Sequence, residues 1–191
     1  GVKSIINYWV DVFNLNKKIL SEGKHFDKLF DDNEIINIGN LEVKILATPG
    51  HTACCVSYYV EESIFVGDTL FMPSSGTARA DFPGGSASIL YNSIKKILAL
   101  PCKTKIYICH DYPKVEGEEQ CLSTVEIQND NNILINKNVS ISEFVAIRNK
   151  RDSGKKPPKL IYPSIQVNIR NGDYGEKESN GKQYIKTPIN F

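Results

Sequence analysis

Between residues 35 and 66 the chain reads as four short apolar runs, and these constrain its fold more than any other feature. The runs are Ile35–Ile38, Leu41–Ala47, 54–60 and 63–66, rich in β-branched and aromatic residues. Gly39-Asn40, Thr48-Pro49-Gly50 and Glu61-Glu62 part them. Short extended runs joined by turn residues read as neighbouring β-strands. A fifth run, 105–109, reads the same way.

The remaining periodicity is helical. Ile5, Ile6, Trp9, Val12, Phe13 and Leu15 predict an amphipathic helix over 5–20, followed by a polar stretch over 21–28. Ser86 stands at an N-cap before Ala87, Leu90, Ile94, Ile97 and Leu98, which predict a helix to about residue 100, stopped by Pro101. A helix is expected over 118–134. Ser140-Ile141-Ser142-Glu143 has the spacing of a capping box and opens another to about 151. Lys155-Lys156-Pro157-Pro158 breaks it, with the two lysines read as a solvated helix end, and 160–191 reads as extended and loop-like. Residues 69–85 carry Pro73, Gly76, Pro83, Gly84 and Gly85 without periodicity, and a loop that long in a compact domain usually has a function.

Composition narrows the partners. The chain has 191 residues, 41% of them hydrophobic and 24% charged, which suits a folded domain. Lys and Arg total 23 against 22 Asp and Glu, so nothing in the charge favours nucleic acid or an anionic membrane. No apolar run approaches the roughly 18–20 residues of a membrane span, and the first residues lack the pattern of a secretory signal. Five cysteines, with no C-x-x-C pair, fit the reduced interior of a cell, the cytoplasm or the mitochondrial matrix of a eukaryote. Most are expected to be buried free thiols, with Cys54 and Cys55 packed in the core.

Three apolar strands stop at residues able to bind a metal. Thr48-Pro49-Gly50-His51 follows the second run, Gly67-Asp68 the fourth, and His110-Asp111 the fifth. Neighbouring strand ends lie roughly 5 Å apart, so residues distant in sequence converge on one rim. Two imidazoles and a carboxylate suit a catalytic zinc with an open position or an iron(II) centre that activates dioxygen. Each residue taken alone also suits a strand-end turn. His25, in a polar stretch, is given no role.

The segments Thr48-Pro49-Gly50-His51-Thr52, Val66-Gly67-Asp68-Thr69-Leu70-Phe71 and Cys109-His110-Asp111-Tyr112 resemble the later metal motifs of the metallo-β-lactamase superfamily. The loop from Gly76 through Arg79-Ala80-Asp81 to Gly85 resembles its persulfide dioxygenase branch and the related β-lactamase-like hydrolases. So do Tyr162-Pro163-Ser164-Ile165-Gln166 and the closing Tyr184-Ile185-Lys186-Thr187-Pro188.

The resemblance implies an α+β fold, the αββα sandwich, with a metal at one rim. It implies one Fe(II) held by His51, Asp68 and the first His of an H-x-H-x-D-H motif. His110 matches the residue that helps hold a second metal in two-zinc, Zn(II) hydrolases, or it stands beside the iron without binding it. Arg79 is expected to orient the substrate or brace the site through Asp81 or Asp111, and Asp111 and Tyr112 to orient the ligands. No H-x-H-x-D-H occurs in these residues. The chain is therefore expected to be N-terminally incomplete. Residues 1–150 would be the C-terminal part of the domain, and 151–191 an extended tail packed on it. Such a piece is expected to expose apolar surface, to hold iron weakly and to be compatible with a homodimer. The implied reaction is oxidation of a small persulfide, glutathione-based, to sulfite. A glyoxalase II-like thioesterase is the alternative, and an inactive fragment or non-enzymatic partner the second.

Overall fold

A computed structural model describes residues 1–16, 24–113, 115 and 117–189. It divides into two compact units, Phe30–Ser153 and the combination of Gly1–Leu29 with Gly154–Phe191.

In the first unit six strands form one mixed sheet in the order β1-β2-β3-β4-β5-β6. They are β1 (Ile35–Ile38), β2 (Leu41–Ala47), β3 (Val56–Val60), β4 (Ser63–Phe65), β5 (Lys105–Tyr107) and β6 (Leu122–Thr124). All neighbours are antiparallel except β4 and β5. A parallel pair needs a long crossover, and the segment between them contains helix α2 (Ala87–Leu98). The second sheet of an αββα sandwich is not among the described residues.

Helix α2 begins where the sequence predicts. The Ser86 hydroxyl accepts the Ile89 amide, and Ala87, Leu90, Ile94, Ile97 and Leu98 are buried. Helix α4 (Ile141–Asp152) opens on a complete capping box between Ser140 and Glu143. It meets α2 through Tyr91 and Phe144, with ring centroids 5.6 Å apart. These helices, with α3 (Val125–Asn131), contribute to one apolar cluster that also contains Leu46, Ile64, Val66 and Ile106.

The helix predicted over 118–134 is corrected. Leu122–Thr124 pairs with β5 as a strand, and only then does the Thr124 hydroxyl cap α3 by accepting the Ile127 amide. Pairing at the sheet edge overrides helical propensity here.

In the other unit, α1 (Val2–Val12) is shorter than the predicted helix and is followed by Asn14 with a positive φ of 49°. Residues 17–20 of that prediction, and 21–23 of the polar stretch, lie outside the described residues. The apolar face of α1 (Ile6, Trp9 and Val10, with Phe13) packs with Tyr162, Ile165 and Ile169. The tail is not wholly extended: Ile161–Asn168 forms helix α5, because its apolar side chains find cover against α1. Among the described residues no helix is long and apolar enough to cross a membrane.

Candidate metal centre

The end of β2, the start of β3 and the ends of β4 and β5 share one rim of the sheet, since Ala47 pairs with Val56, Tyr58 with Phe65, and Phe65 with Tyr107. His51, Asp68 and His110 leave from that rim. The turn carrying His51 is pinned from several sides. Its Thr48 hydroxyl lies 2.9 Å from that of Ser57, and the Thr69 hydroxyl donates to Thr48 Oγ1 at 3.3 Å. The Ser93 hydroxyl donates to the Pro49 carbonyl at 2.6 Å, and the Ser86 amide to the Gly50 carbonyl at 2.9 Å. Gly50 has φ +135°, and a Cβ there would lie 2.3 Å from Leu90 Cα. Only glycine permits this approach of backbone to helix.

These constraints turn His51 toward Asp68. His51 Nδ1 lies 2.7 Å from the Arg79 carbonyl oxygen, which only accepts, so Nδ1 carries the hydrogen and donates. Nε2 of the neutral ring then offers its lone pair, 3.7 Å from Asp68 Oδ2. His110 Nε2 lies 3.2 Å from the other carboxylate oxygen, Oδ1. Asp68 thus stands between two imidazoles, one oxygen toward each. Nitrogen and oxygen donors of this kind suit zinc or iron(II), and a carbonyl bound to the second ring nitrogen is the usual support of a metal-bound histidine. The two imidazoles address different oxygens. Among the described residues, no group of three or more His, Cys, Asp and Glu side chains is arranged to hold an ion.

Arg79 serves this rim through its carbonyl. Its guanidinium binds Asp81 with two bonds of 2.6 Å, and that pairing pushes its pKa up. The guanidinium lies 4.8 Å from the centre of the Phe82 ring, which in turn meets His51 edge-on at 5.1 Å. The bracing expected of Arg79 therefore runs through Asp81. Asp111 accepts instead from the Ser75 hydroxyl and the Tyr112 and Gln120 amides. Tyr112 is exposed, its ring 5.6 Å from Phe71 and 6.4 Å from His110.

A second brace holds the same loop and has little signal in the sequence. Arg148 and Asp152, both on α4 and both buried, pair at 2.6 Å. Asp152 accepts the Ala80 amide at 2.9 Å, and Arg148 donates to the Thr77 carbonyl at 3.1 Å. The pair therefore grips the loop on both sides of Arg79. Its one sequence signal, opposite charges four residues apart on a helix, is also what a solvated helix face shows.

The expectation for the thiols is corrected in part. Cys102, Cys109 and Cys121 are exposed, and Cys54 and Cys55 only partly buried, because these residues stand in turns and at strand ends. Both half-buried sulfurs lie close to the Thr52 hydroxyl, at 3.3 and 3.0 Å. Burial pushes the Cys55 and Cys109 thiols up, with Asp68 adding to both.

The family model of the metallo-beta-lactamase superfamily matches residues 6–110, more than half of the chain, and the chain belongs to that superfamily. It is 48% identical over 192 residues to a protein named Glyoxylase B2 from Dictyostelium discoideum, an overlap of 100% of this chain and 66% of that protein. It is 33% identical over 153 residues to the mitochondrial persulfide dioxygenase ETHE1 of Bos taurus, covering 78% of this chain and 56% of that protein. The crystal structure of ETHE1 from Myxococcus xanthus matches with a TM-score of 0.67 and 30% identity, over 75% of this chain and 60% of that one. The chain spans between 43% and 66% of the length of the first curated relatives it matches.

Proposed function

We propose that the chain forms part of a metal-dependent enzyme that oxidises a small persulfide, glutathione-based, with dioxygen. The observation that carries this reading is the Asp68 carboxylate standing between His51 Nε2 and His110 Nε2. The structural likeness to ETHE1 and the sequence likeness to a persulfide dioxygenase support it. In balance, a persulfide, dioxygen and water give the thiol, sulfite and two protons. His51 and Asp68 would hold an iron(II) ion, which would supply the redox chemistry of dioxygen.

The chain's own residues set the geometry. The Arg79 carbonyl keeps His51 in one tautomer, and the Arg79–Asp81 pair fixes that carbonyl. Phe71 and Phe82 wall the two histidines. Asp111, tied to two backbone amides, holds the segment after His110 in place, and Tyr112 shields its outer side. All five cysteines are free, in keeping with a reducing compartment.

A second reading is a two-zinc thioesterase of glyoxalase II type. It is favoured by His110, which lies closer to Asp68 than His51 does. Oxygen consumption and sulfite release by the iron-loaded protein with glutathione persulfide support the dioxygenase. Hydrolysis of a glutathione thioester by the zinc-loaded protein, without oxygen uptake, replaces it with the second reading. If Asp68→Asn leaves the oxygen uptake unchanged, this centre is not the site.

A further inference from the structure

The unit formed by residues 1–29 and 154–191 contains a cavity of about 480 Å³, within the size range of small-molecule sites. The fully buried Gln166 of α5 bonds to two of its lining residues, Lys186 and Arg170. The Gln166 amide donates to the Lys186 carbonyl at 2.8 Å and accepts the Lys186 amide at 2.9 Å. The Gln166 backbone carbonyl accepts from Arg170 Nη1 at 2.8 Å. One residue therefore holds the Arg170 guanidinium and the Lys186 backbone, and both residues line the same cavity.

The guanidinium is also cradled. Gly175 has φ +93°, and a Cβ there would lie 3.0 Å from Arg170 Cζ. A side chain there would press the guanidinium aside by a few tenths of an ångström, and the positive φ would strain it. Among the described residues Arg170 has no carboxylate within ion-pair distance, although Asp173 and Glu176 line the same cavity. Burial lowers its pKa, and those two acids offset this only in part. Lys186 is loosely engaged, 3.5 Å from the Asn14 carbonyl and 3.9 Å from Glu178. His25, given no role from sequence, is on the wall, and its buried Nε2 has no hydrogen-bond partner among the described residues.

We infer that this cavity binds a small zwitterion of amino-acid or short-peptide type, its carboxylate on the Arg170 fork and its ammonium toward Asp173, Glu176 and Glu178. An arginine with open donors and a fixed plane is suited to a carboxylate. Three carboxylates around the same space disfavour a simple anion and supply the counterpart for a cation. The inference stands apart from the metal centre and does not depend on the reaction proposed there.

The test is isothermal titration of the full chain with L-glutamine and triglycine, beside acetate and methylammonium chloride as single-charge controls. Both zwitterions are expected to bind at least about tenfold more tightly than either control. Arg170→Gln is expected to weaken them by about tenfold or more, and Arg170→Lys to recover part of the loss. Emission from Trp9, the single tryptophan, in the apolar cluster of the same unit, reports whether each variant stays folded. Should a variant lose that signal, Gly175→Ala serves in its place, since it crowds the guanidinium without removing the charge. Acetate binding as tightly as the zwitterions overturns the inference. So does the absence of heat from both zwitterions, or wild-type affinity in a folded Arg170→Gln or Gly175→Ala variant.

Discussion

Ile64 and Phe65 are neighbours on β4, yet Ile64 is 0% exposed and Phe65 45%. They stand on opposite faces of the sheet. The row Lys44, Tyr59, Ile64, Ile106 and Ser123 shares its face with Leu46 and Val66, which pack with α2 and α4. The row Ile45, Tyr58, Phe65, Tyr107 and Leu122 lies on the other face, with Ile38 and Leu41 toward its edge. There Val43 and Ile45 are shielded, but Ile38 is 61% exposed, and Tyr58, Leu122 and Leu41 are exposed too. Both faces are apolar; among the described residues of this unit, α2, α3 and α4 pack on the first of them. Apolarity in a strand therefore records what a face can bury. What covers it is set by other segments.

That contrast can be broken from the covered side with the largest effect. Arg148→Met removes the buried guanidinium paired with the Asp152 carboxylate, which is expected to cost about 3–5 kcal/mol, read as a lower urea midpoint. Ile64→Ala, on the covered face, is expected to cost about 2–5 kcal/mol in the same measurement. Phe65→Ala removes a ring stacked on Tyr107 at 4.9 Å, with 13° between planes. It is expected to cost only about 1 kcal/mol, and light scattering of the variant should fall as exposed apolar surface is removed. A cost for Phe65→Ala equal to that for Ile64→Ala would show that the two faces are equally buried.

The smallest effect concerns pH. Asp32 ties the end of β2 to α2, accepting Lys96 Nζ at 2.7 Å and the Ala47 amide at 2.7 Å. The Lys96 bond first, then the Ala47 amide, lowers the Asp32 pKa on folding. Its contribution is present above the unfolded carboxylate value, about 3.9, and is lost as pH falls through the lower folded value. The pair is exposed and screened, so the loss should be small. Urea midpoints at several pH values should show it in the wild type and not in Asp32→Asn.

Legibility followed the same division. The periodicity of Leu90, Ile94 and Ile97 and the capping box at Ser140 are local, and the helices they announce are present. The strand at Leu122 was missed because it exists only through pairing with β5. The convergence of His51, Asp68 and His110 on one rim was readable, because each follows a strand and strand ends gather. The grip of Asp152 on the Ala80 amide was not, because it joins α4 to a loop far away in sequence. The cradle of Arg170 is local, but it exists only because Ile161–Asn168 folds as a helix followed by a turn, where the sequence reads as extended chain.

The contact of Gly50 with Leu90 also sets an order of events. The turn that presents His51 rests against the backbone of α2, so His51 reaches its place only once that helix has formed and docked. The parallel pairing of β4 with β5 waits on the same crossover, and with it the approach of His110 to Asp68. The geometry of this centre therefore depends on the docking of α2 and reports it. A chain refolding in the presence of metal should gain helical signal before it gains affinity.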